Sequence, residues 1–545
     1  MQKFNDSKGW QCESISDVYN KIENIKEADR IINSLRICDP AVGSGHFLVS
    51  ALNEIIAIKS ELKILTDSEG KRLKEYTIEV INDEIIITDE QSKLFEYNPK
   101  NKESQRVQES LFQEKQKIIE NCLFGVDINP NSVKICRLRL WIELLKNAYY
   151  KSDKNFRELE TLPNIDINIK CGNSLISRYS FDSDIKTALK SSKWNVDNYR
   201  EAVMAYRNAQ SKDEKRSMEH LMNMIKNDFE TEVSNNDKRF LKLNKLKGEL
   251  LSLTGQSSLF ELTKTQKDDW NNKVKRITED INRYETELKE IKNNRIYENA
   301  FEWRFEFPEV LNNDGDFVGF DIVIGNPPYI RQEEVKDLSS YFSNYYKCFS
   351  GKSDIYVYFF ELGINILKHH GSICFITSGK YFEASYGRSL IKFLLDEVQF
   401  NKIINFNDLE VFEGVSAYPL IFEGTKRKAP DFKIEYFDLN ELPDASLSMH
   451  ISNKKSLVTS KLDFVNKNLR FISNTVSNLI QKIQENTSSI KDLCGLPIVG
   501  VKTGFNEGFL TDISDPEFVK PYIFGRDIKK YQLICPTKKI IFPYN

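Results

Sequence analysis

Two kinds of stretch alternate along this chain. Short apolar runs end in an acid, in glycine or in proline. Longer stretches place apolar residues every three or four positions. The first kind reads as buried strand and the second as helix. A strand over 35–39 runs into Pro40-Ala41-Val42-Gly43-Ser44-Gly45-His46-Phe47-Leu48 and an apolar helix to about residue 58. A second strand, 122–127, leads to a helix carrying Val133, Cys136, Leu138, Leu140, Trp141 and Leu144. A third, 165–170, runs into Cys171-Gly172-Asn173. The apolar run 320–324 stops abruptly at Gly325-Asn326-Pro327-Pro328-Tyr329. Helix 353–368, strand 371–377, helix 386–398 and strand 402–406 follow. The loop from 411 then leads into a hairpin strand, and 432–436 is a final strand. Strands alternating with helices predict an α/β fold built on a Rossmann-like sheet.

The flanks follow other patterns. Residues 1–34 are polar with helical spacing (Val18, Ile22, Ile25, Ile31, Ile32) and form an N-terminal helical segment. Within 59–118, residues 76–80 and 84–88 alternate around Asn82-Asp83, a hairpin signal. The charged stretch 95–120 reads as a solvated helix. Residues 180–300 are rich in Lys, Glu and Asn. Leu243, Leu246, Leu250 and Leu253, then Val274, Ile277, Ile281, Tyr284, Leu288 and Ile291, predict a projecting helical hairpin with a solvated charged face. Residues 35–440 thus form one α/β domain with insertions at about 59–118 and 180–300. From 445 the composition shifts to Ser, Asn and Lys, and a separate module follows.

Bulk numbers narrow the picture only a little. The 545 residues, 40% of them hydrophobic, suffice for a large core and about three or four domains. A net charge of −3 gives no global pull toward nucleic acid, so a polyanionic partner needs local basic patches. Nine scattered cysteines without a CxxC pair fit a reduced, cytoplasmic setting with no zinc site. No apolar run approaches membrane-spanning length.

Chemistry concentrates at strand ends. The two prolines stiffen the turn after 320–324, so the Asn326 amide oxygen and the Pro327 carbonyl make a rigid two-acceptor cradle for a planar amine. Tyr329 adds a face on which a base can stack. An ordinary Asx/Pro turn is the bland alternative. Gly43 and Gly45, with Asp39 before them and Phe47 after, form a strand–turn–helix loop of nucleotide-binding type, though neither a GxGxxG fingerprint nor a Walker loop. Asp127, with Ile128 beside it, is placed to accept ribose hydroxyls, or simply to cap the helix. Asn173 suits an adenine edge or a turn, and Phe412 a core anchor or a second stacking face. Lys502, Thr503, Asn506 and Arg526 interleave with aromatics and glycines as in nucleic-acid contacts, against the commoner bland surface loop.

The tracts Asp39-Pro-Ala-Val-Gly-Ser-Gly-His-Phe47, Gly125-Val-Asp-Ile-Asn-Pro130 and Asp321-Ile-Val-Ile-Gly-Asn-Pro-Pro-Tyr329, in this order, resemble the S-adenosylmethionine-dependent N6-adenine DNA methyltransferases of the gamma arrangement. The nearest likeness is to the methyltransferase part of type IIG restriction–modification enzymes, where a tract like Phe301-Glu-Trp-Arg-Phe-Glu-Phe-Pro308 also precedes the catalytic strand. The resemblance covers about 30–60, 115–180 and 300–545. It implies that Asp39, Ala41, Gly43 and Gly45 line the cofactor's methionine end, that Asp127 holds its ribose, that Asn173 faces its adenine, and that Phe47 and Ile128 also bind the cofactor. It also implies that Asn326, Pro327, Pro328 and Tyr329 form the catalytic loop, with Tyr329 and Phe412 stacking on a flipped base. Residues 445–545 then begin a target-recognition domain for double-stranded DNA, with a restriction nuclease domain or subunit as a further partner. Two departures stand out. No cofactor-closing tract of the family's Tyr-Thr-Pro type matches within residues 1–38, and no PD-(D/E)xK-like nuclease segment stands at the N-terminus. The resemblance therefore implies a piece of a longer enzyme.

The chemistry suits this reading. Methyl transfer from a sulfonium to an aromatic amine needs an aimed lone pair rather than an enzyme nucleophile. Extruding the base costs a few kcal/mol, and each aromatic stack returns about 1–3 kcal/mol. With no Pro-Cys dipeptide, cytosine C5 chemistry has no candidate nucleophile. N4-cytosine, protein-glutamine and RNA-guanine methyltransferases are enzymatic rivals, because the same cradle fits any planar amine or amide. A catalytically silent DNA-specificity subunit is the rival from another class.

Overall fold

In a computed structural model the chain is described over residues 1–179, 192–235, 238–255, 264–293, 295–412, 418–443, 446–485, 487–488, 510–512, 519–523 and 538–541. It divides into two compact units, Met1–Phe471 and Ile472–Asn545.

The first unit is built on a nine-stranded sheet: β1 Ile37–Asp39, β4 Leu123–Asp127, β5 Ile169–Cys171, β6 Phe320–Gly325, β7 Leu367–Ser378, β8 Val398–Asn405, β9 Pro419–Lys426, β10 Lys433–Asp438 and β11 Leu457–Ser460. A separate hairpin pairs β2 Tyr76–Ile81 with β3 Glu84–Asp89 in the expected register around Asn82-Asp83. The sheet order is β11-β10-β8-β9-β7-β6-β1-β4-β5. Every strand runs parallel except β9, which is reversed between β7 and β8, and β11 at the edge.

Both faces of the sheet are covered, which is why these strands read as continuous apolar runs. The period-2 alternation then divides each strand between two cores. Ile37, Leu123 and Ile169 face one hydrophobic cluster, shared with the N-terminal helices α1 Gln2–Lys8, α2 Ile15–Lys21 and α3 Ile25–Asn33. The same cluster takes in α4 His46–Glu61, α5 Lys102–Cys122 and α6 Pro130–Leu145. Cys38, Phe124, Val126, Phe320 and Val323 face the other, filled by Trp303, Phe307 and the aromatic helix Tyr356–Ile366.

Several expectations need correction. Helix α5 is not solvated: Val107, Leu111, Phe112, Ile118 and Ile119 form a buried face beneath its charges. Its acids and bases had masked that apolar stripe. Strand β7 begins earlier than expected because Lys368, His369 and His370 bulge where the register jumps from Phe320↔Leu367 to Ile322↔Ser372. Strand β11, in a polar stretch, was not anticipated. It is an edge strand whose Val458 lies exposed, so no apolar signature marks it. The 180–300 region holds more than a hairpin. Helices Val196–Asn208 and Lys212–Asn235 dock on the body around Phe305, and only Lys238–Gly255 and Lys264–Asn293 form the arm, with its own small core of Leu243, Ile277 and Ile281.

In the second unit the described residues form helix Asn474–Glu485 and a three-stranded antiparallel sheet. Strand β14 (Lys538–Ile541) lies between β12 (Leu510–Thr511) and β13 (Val519–Tyr522). Lys502, Thr503, Asn506 and Arg526 lie outside the described residues.

Helices α3, α4 and α5 meet at Lys59, which is wholly buried. It is held by Asp29 at 2.7 Å, the Asn33 side-chain oxygen at 2.7 Å, and Glu114. Deleting one partner of a buried ion pair leaves an uncompensated charge and costs about 3–5 kcal/mol. Lys59→Met should therefore lower the free energy of chemical unfolding by about 3 kcal/mol. A loss too small to measure would show that Glu114 finds another partner.

Candidate functional site

From β1 the chain proceeds to β4 on one side of the sheet, whereas β6, on the other side of β1, continues to β7. The gap between β1 and β6 is therefore the topological switch point, and ligands in open α/β sheets bind outside the carboxyl ends of strands there. The loops after β6, β1 and β4 open onto this edge side by side, about 10 Å from first to last at the usual strand spacing. The loop after β5 lies next in line. The structure thus brings Asn326–Tyr329, Asp39–Phe47, Asp127–Ile128 and Asn173 onto one edge.

The glycine turn is tied to its neighbours. Val42 N donates to Val126 O (2.9 Å), Gly43 N to Asp127 Oδ2 (2.9 Å), and Ser174 Oγ to Pro40 O (2.5 Å). Gly43 and Gly45 have φ of 53° and 84°, which other residues rarely adopt. A Cβ on Gly45 would also fall 2.5 Å from Cys136 Sγ. Asp127 accepts from Gly43 N and, through Oδ1, from Asn129 N (2.7 Å). A carboxylate has about four acceptor sites, so two remain for hydroxyls. Ile128, 59% exposed, and Phe47, 38% exposed, leave apolar surface beside the turn.

Asp39 is buried, and Ala41 N donates to its Oδ1 (3.0 Å). Its carboxylate lies against Gly325, where an added Cβ would come within 2.7 Å of Oδ1. Burial pushes the Asp39 carboxyl up to about 7, and the nearby Asp127 charge adds to the rise. The first residue of the glycine-turn loop therefore touches the last residue of β6.

On the far side of that contact, Asn326 Oδ1 is buried and has no hydrogen-bond partner among the described residues; nor has the Tyr329 hydroxyl. Pro327 is buried. The loop is anchored where Ile355 N donates to Ile330 O (2.9 Å). Tyr356 lies 6.1 Å from the Tyr329 ring, and its hydroxyl pairs with that of Tyr386 at 3.0 Å. Phe412 is half-buried on the loop between β8 and β9, three strand positions from β6.

Sequence reasoning missed the support under the β5 loop. The Asn173 side chain accepts from Leu175 N (3.1 Å), and its own N–H donates to Asn299 O (2.6 Å). Trp303 Nε1 donates to Ser174 O (3.0 Å), while the Phe301 ring fills the space beside Gly172. Glu302 accepts from Ser177 Oγ (2.5 Å) and Arg178 N (2.7 Å), and burial raises its carboxyl to about 7. The aromatic alternation of 301–307 around buried Glu302 was the available signal.

A family model described as Eco57I restriction-modification methylase matches residues 121–412. The putative type II restriction enzyme and methyltransferase RM.MjaORFECS2P of Methanocaldococcus jannaschii is 26% identical over 450 residues, covering 75% of this chain and 32% of its own. The type II methyltransferase M.BstVI of Geobacillus stearothermophilus is 25% identical over 255 residues, covering 42% and 44%. The chain thus spans less than half the length of either relative. The solved structure of the type IIL enzyme MmeI in complex with DNA covers 79% of this chain and 37% of its own, at 11% identity and a TM-score of 0.35.

Gly325→Ala should cut activity sharply while leaving the circular-dichroism spectrum intact, because the new methyl group must displace Asp39 or the Asn326 loop; unaltered turnover would refute that contact. Asp39 supplies a second test. A carboxyl whose folded pKa is raised holds its proton in the native chain after the unfolded chain has lost it, so stability falls between about pH 4 and pH 7. Asp39→Asn should therefore gain on the native chain by about 1.4 kcal/mol per pH unit across that window and level off above it. Unfolding midpoints at acid, neutral and alkaline pH read this directly, and parallel pH profiles would overturn it.

Proposed function

Because the chain belongs to the Eco57I restriction-modification methylase family, we propose that it transfers a methyl group from S-adenosyl-L-methionine to N6 of adenine in double-stranded DNA, within a restriction–modification system. The observation that carries the reading is the buried, unpartnered Asn326 Oδ1 on the stiff loop at the switch point. A buried acceptor without a donor is costly and rare. An exocyclic amine entering beside Tyr329 supplies that donor.

The residues fit the cofactor. The positive-φ glycine turn holds its backbone against β4 and Cys136, Asp127 keeps free acceptor sites for a ribose, and Ile128 offers exposed apolar surface beside it. Bound there, S-adenosyl-L-methionine supplies an activated methyl group. Asp39, Ala41, Gly43 and Gly45 would hold its methionine end, Asp127 its ribose and Asn173 its adenine, with Phe47 and Ile128 also against it. Asn326 Oδ1 and the Pro327 carbonyl accept hydrogen bonds from the two N–H groups of the target amine. That draws the nitrogen toward tetrahedral geometry and aims its lone pair, while Tyr329 and Phe412 hold the ring. Tyr356 and Tyr386 support Tyr329 from behind.

In this reading the target-recognition domain expected over 445–545 begins with the second unit, Ile472–Asn545, because β11 belongs to the nine-stranded sheet; Lys502, Thr503, Asn506 and Arg526 contact DNA, and a restriction nuclease acts as domain or partner. Reduced cytoplasm is the setting, consistent with the free thiols of the described cysteines. No described helix is long and apolar enough to cross a membrane.

Tritiated methyl transfer to unmethylated bacterial DNA, followed by nucleoside analysis, tests the proposal. Label should appear as N6-methyladenine and fall about 100-fold or more in Asn326→Ala, in keeping with the loss of one transition-state hydrogen-bonding group. Label in N4-methylcytosine would replace the target base, and absence of cofactor binding would sink the assignment.

A further inference from the structure

The helical arm carries the most one-sided charge in the described part of the first unit. Residues 238–248 read Lys-Arg-Phe-Leu-Lys-Leu-Asn-Lys-Leu-Lys-Gly: five cations and no acid, in a chain whose net charge is −3. They occupy the first turns of helix Lys238–Gly255. Positions 238, 242 and 245 fall within about 60° of the helix circumference at 3.6 residues per turn. Leu243, Leu246 and Leu250 turn instead toward the partner helix. The basic stripe therefore flanks the apolar seam without contributing to it. Lys247, farther round the helix, is neutralised by Glu285 at 2.7 Å. Lys242 and Lys245 are exposed and have no ion-pair or hydrogen-bond partner among the described residues.

Where the arm is rooted decides what these charges meet. At its start, Arg239 reaches the Tyr345 hydroxyl at 3.5 Å. Just past its end, Tyr297 packs edge-on against Tyr341 at 5.9 Å, and Asn299 O accepts from Asn173 N at 2.6 Å. Tyr341 in turn donates to Ser177 O at 3.0 Å. Both roots thus stand on the carboxyl edge of the sheet, beside the Asn173 loop and the helix Ser339–Tyr345 that follows the Asn326–Tyr329 loop. A duplex that delivers a base to Asn326 must approach this edge with its phosphates outward.

We infer that the basic face of the arm, through Lys242 and Lys245, contacts the phosphate backbone of the DNA duplex whose base enters the site. The inference rests on the proposed DNA methyltransferase reading and adds a sequence-independent clamp to it. Such a contact positions the duplex and strengthens binding without reading bases. It leaves a salt signature of about 0.9 in the log–log slope per phosphate neutralised.

The test is fluorescence anisotropy with a labelled, unmethylated duplex of mixed sequence across a salt series. It compares the full chain with Lys242→Glu/Lys245→Glu and with a control reversal, Lys21→Glu/Lys26→Glu, on the N-terminal helices. Calorimetric S-adenosylmethionine binding checks each fold. The arm variant should bind DNA at least about tenfold more weakly at low salt, with a slope shallower by about 2. Its cofactor affinity should be unchanged, and the control should match the native chain. Equal DNA affinity and slope in the arm variant and the native chain would overturn the inference while leaving the methyltransferase reading standing. A native chain that binds cofactor but no duplex under any salt condition would overturn both.

Discussion

The site depends on one close approach: the buried Asp39 carboxylate resting on the bare Cα of Gly325. The loop that would hold the cofactor's methionine end starts at Asp39. The loop that would hold the target amine starts just past Gly325, the last residue of β6. Adjacent strands bring the two loops near each other, but only a residue without a Cβ lets them touch. The contact is held at a cost, since a carboxylate taken out of water resists ionising and burial pushes the Asp39 carboxyl up to about 7. That cost falls at the switch point of the sheet, where the residues proposed to hold cofactor and target amine converge.

Around that contact the chain lays down supports from distant segments. Asp127 satisfies Gly43 N, Ser174 bonds back to Pro40, and Trp303 with Glu302 props the Asn173 loop from the opposite core. Glu306 then joins Lys170 of β5 to Lys226 of the docked helix Lys212–Asn235. The docked helices thereby become part of the scaffold, and the arm beyond them is left with only its own core. At the amino end of β6, Asp321 is clamped by Lys3, Lys368 and the Arg36 backbone N–H, so the N-terminal segment secures the same strand whose far end carries Asn326.

Much of this was legible beforehand. Strand ends at Asp39, Asp127 and Gly325 were visible because an apolar run that stops at an acid or a glycine leaves little else to be. The hairpin at Asn82-Asp83 and the Leu/Ile seam of the arm followed from period alone. Helix α5 and strand β11 failed for opposite reasons: α5 hides a buried stripe under charge, and β11 sits on an edge with little to bury.

Glycine, proline and apolar period act on neighbours in the chain, and so they set which residues stand at strand ends, in what order, and with what local stiffness. Which ends adjoin is a matter of packing across the whole fold. Arg36 meets Asp321 across 285 residues, β9 enters the sheet reversed between β7 and β8, and Phe301–Phe307 slides beneath a loop formed more than a hundred residues earlier. Those choices follow from burying two apolar faces at once, a condition on the whole sheet that no local stretch encodes.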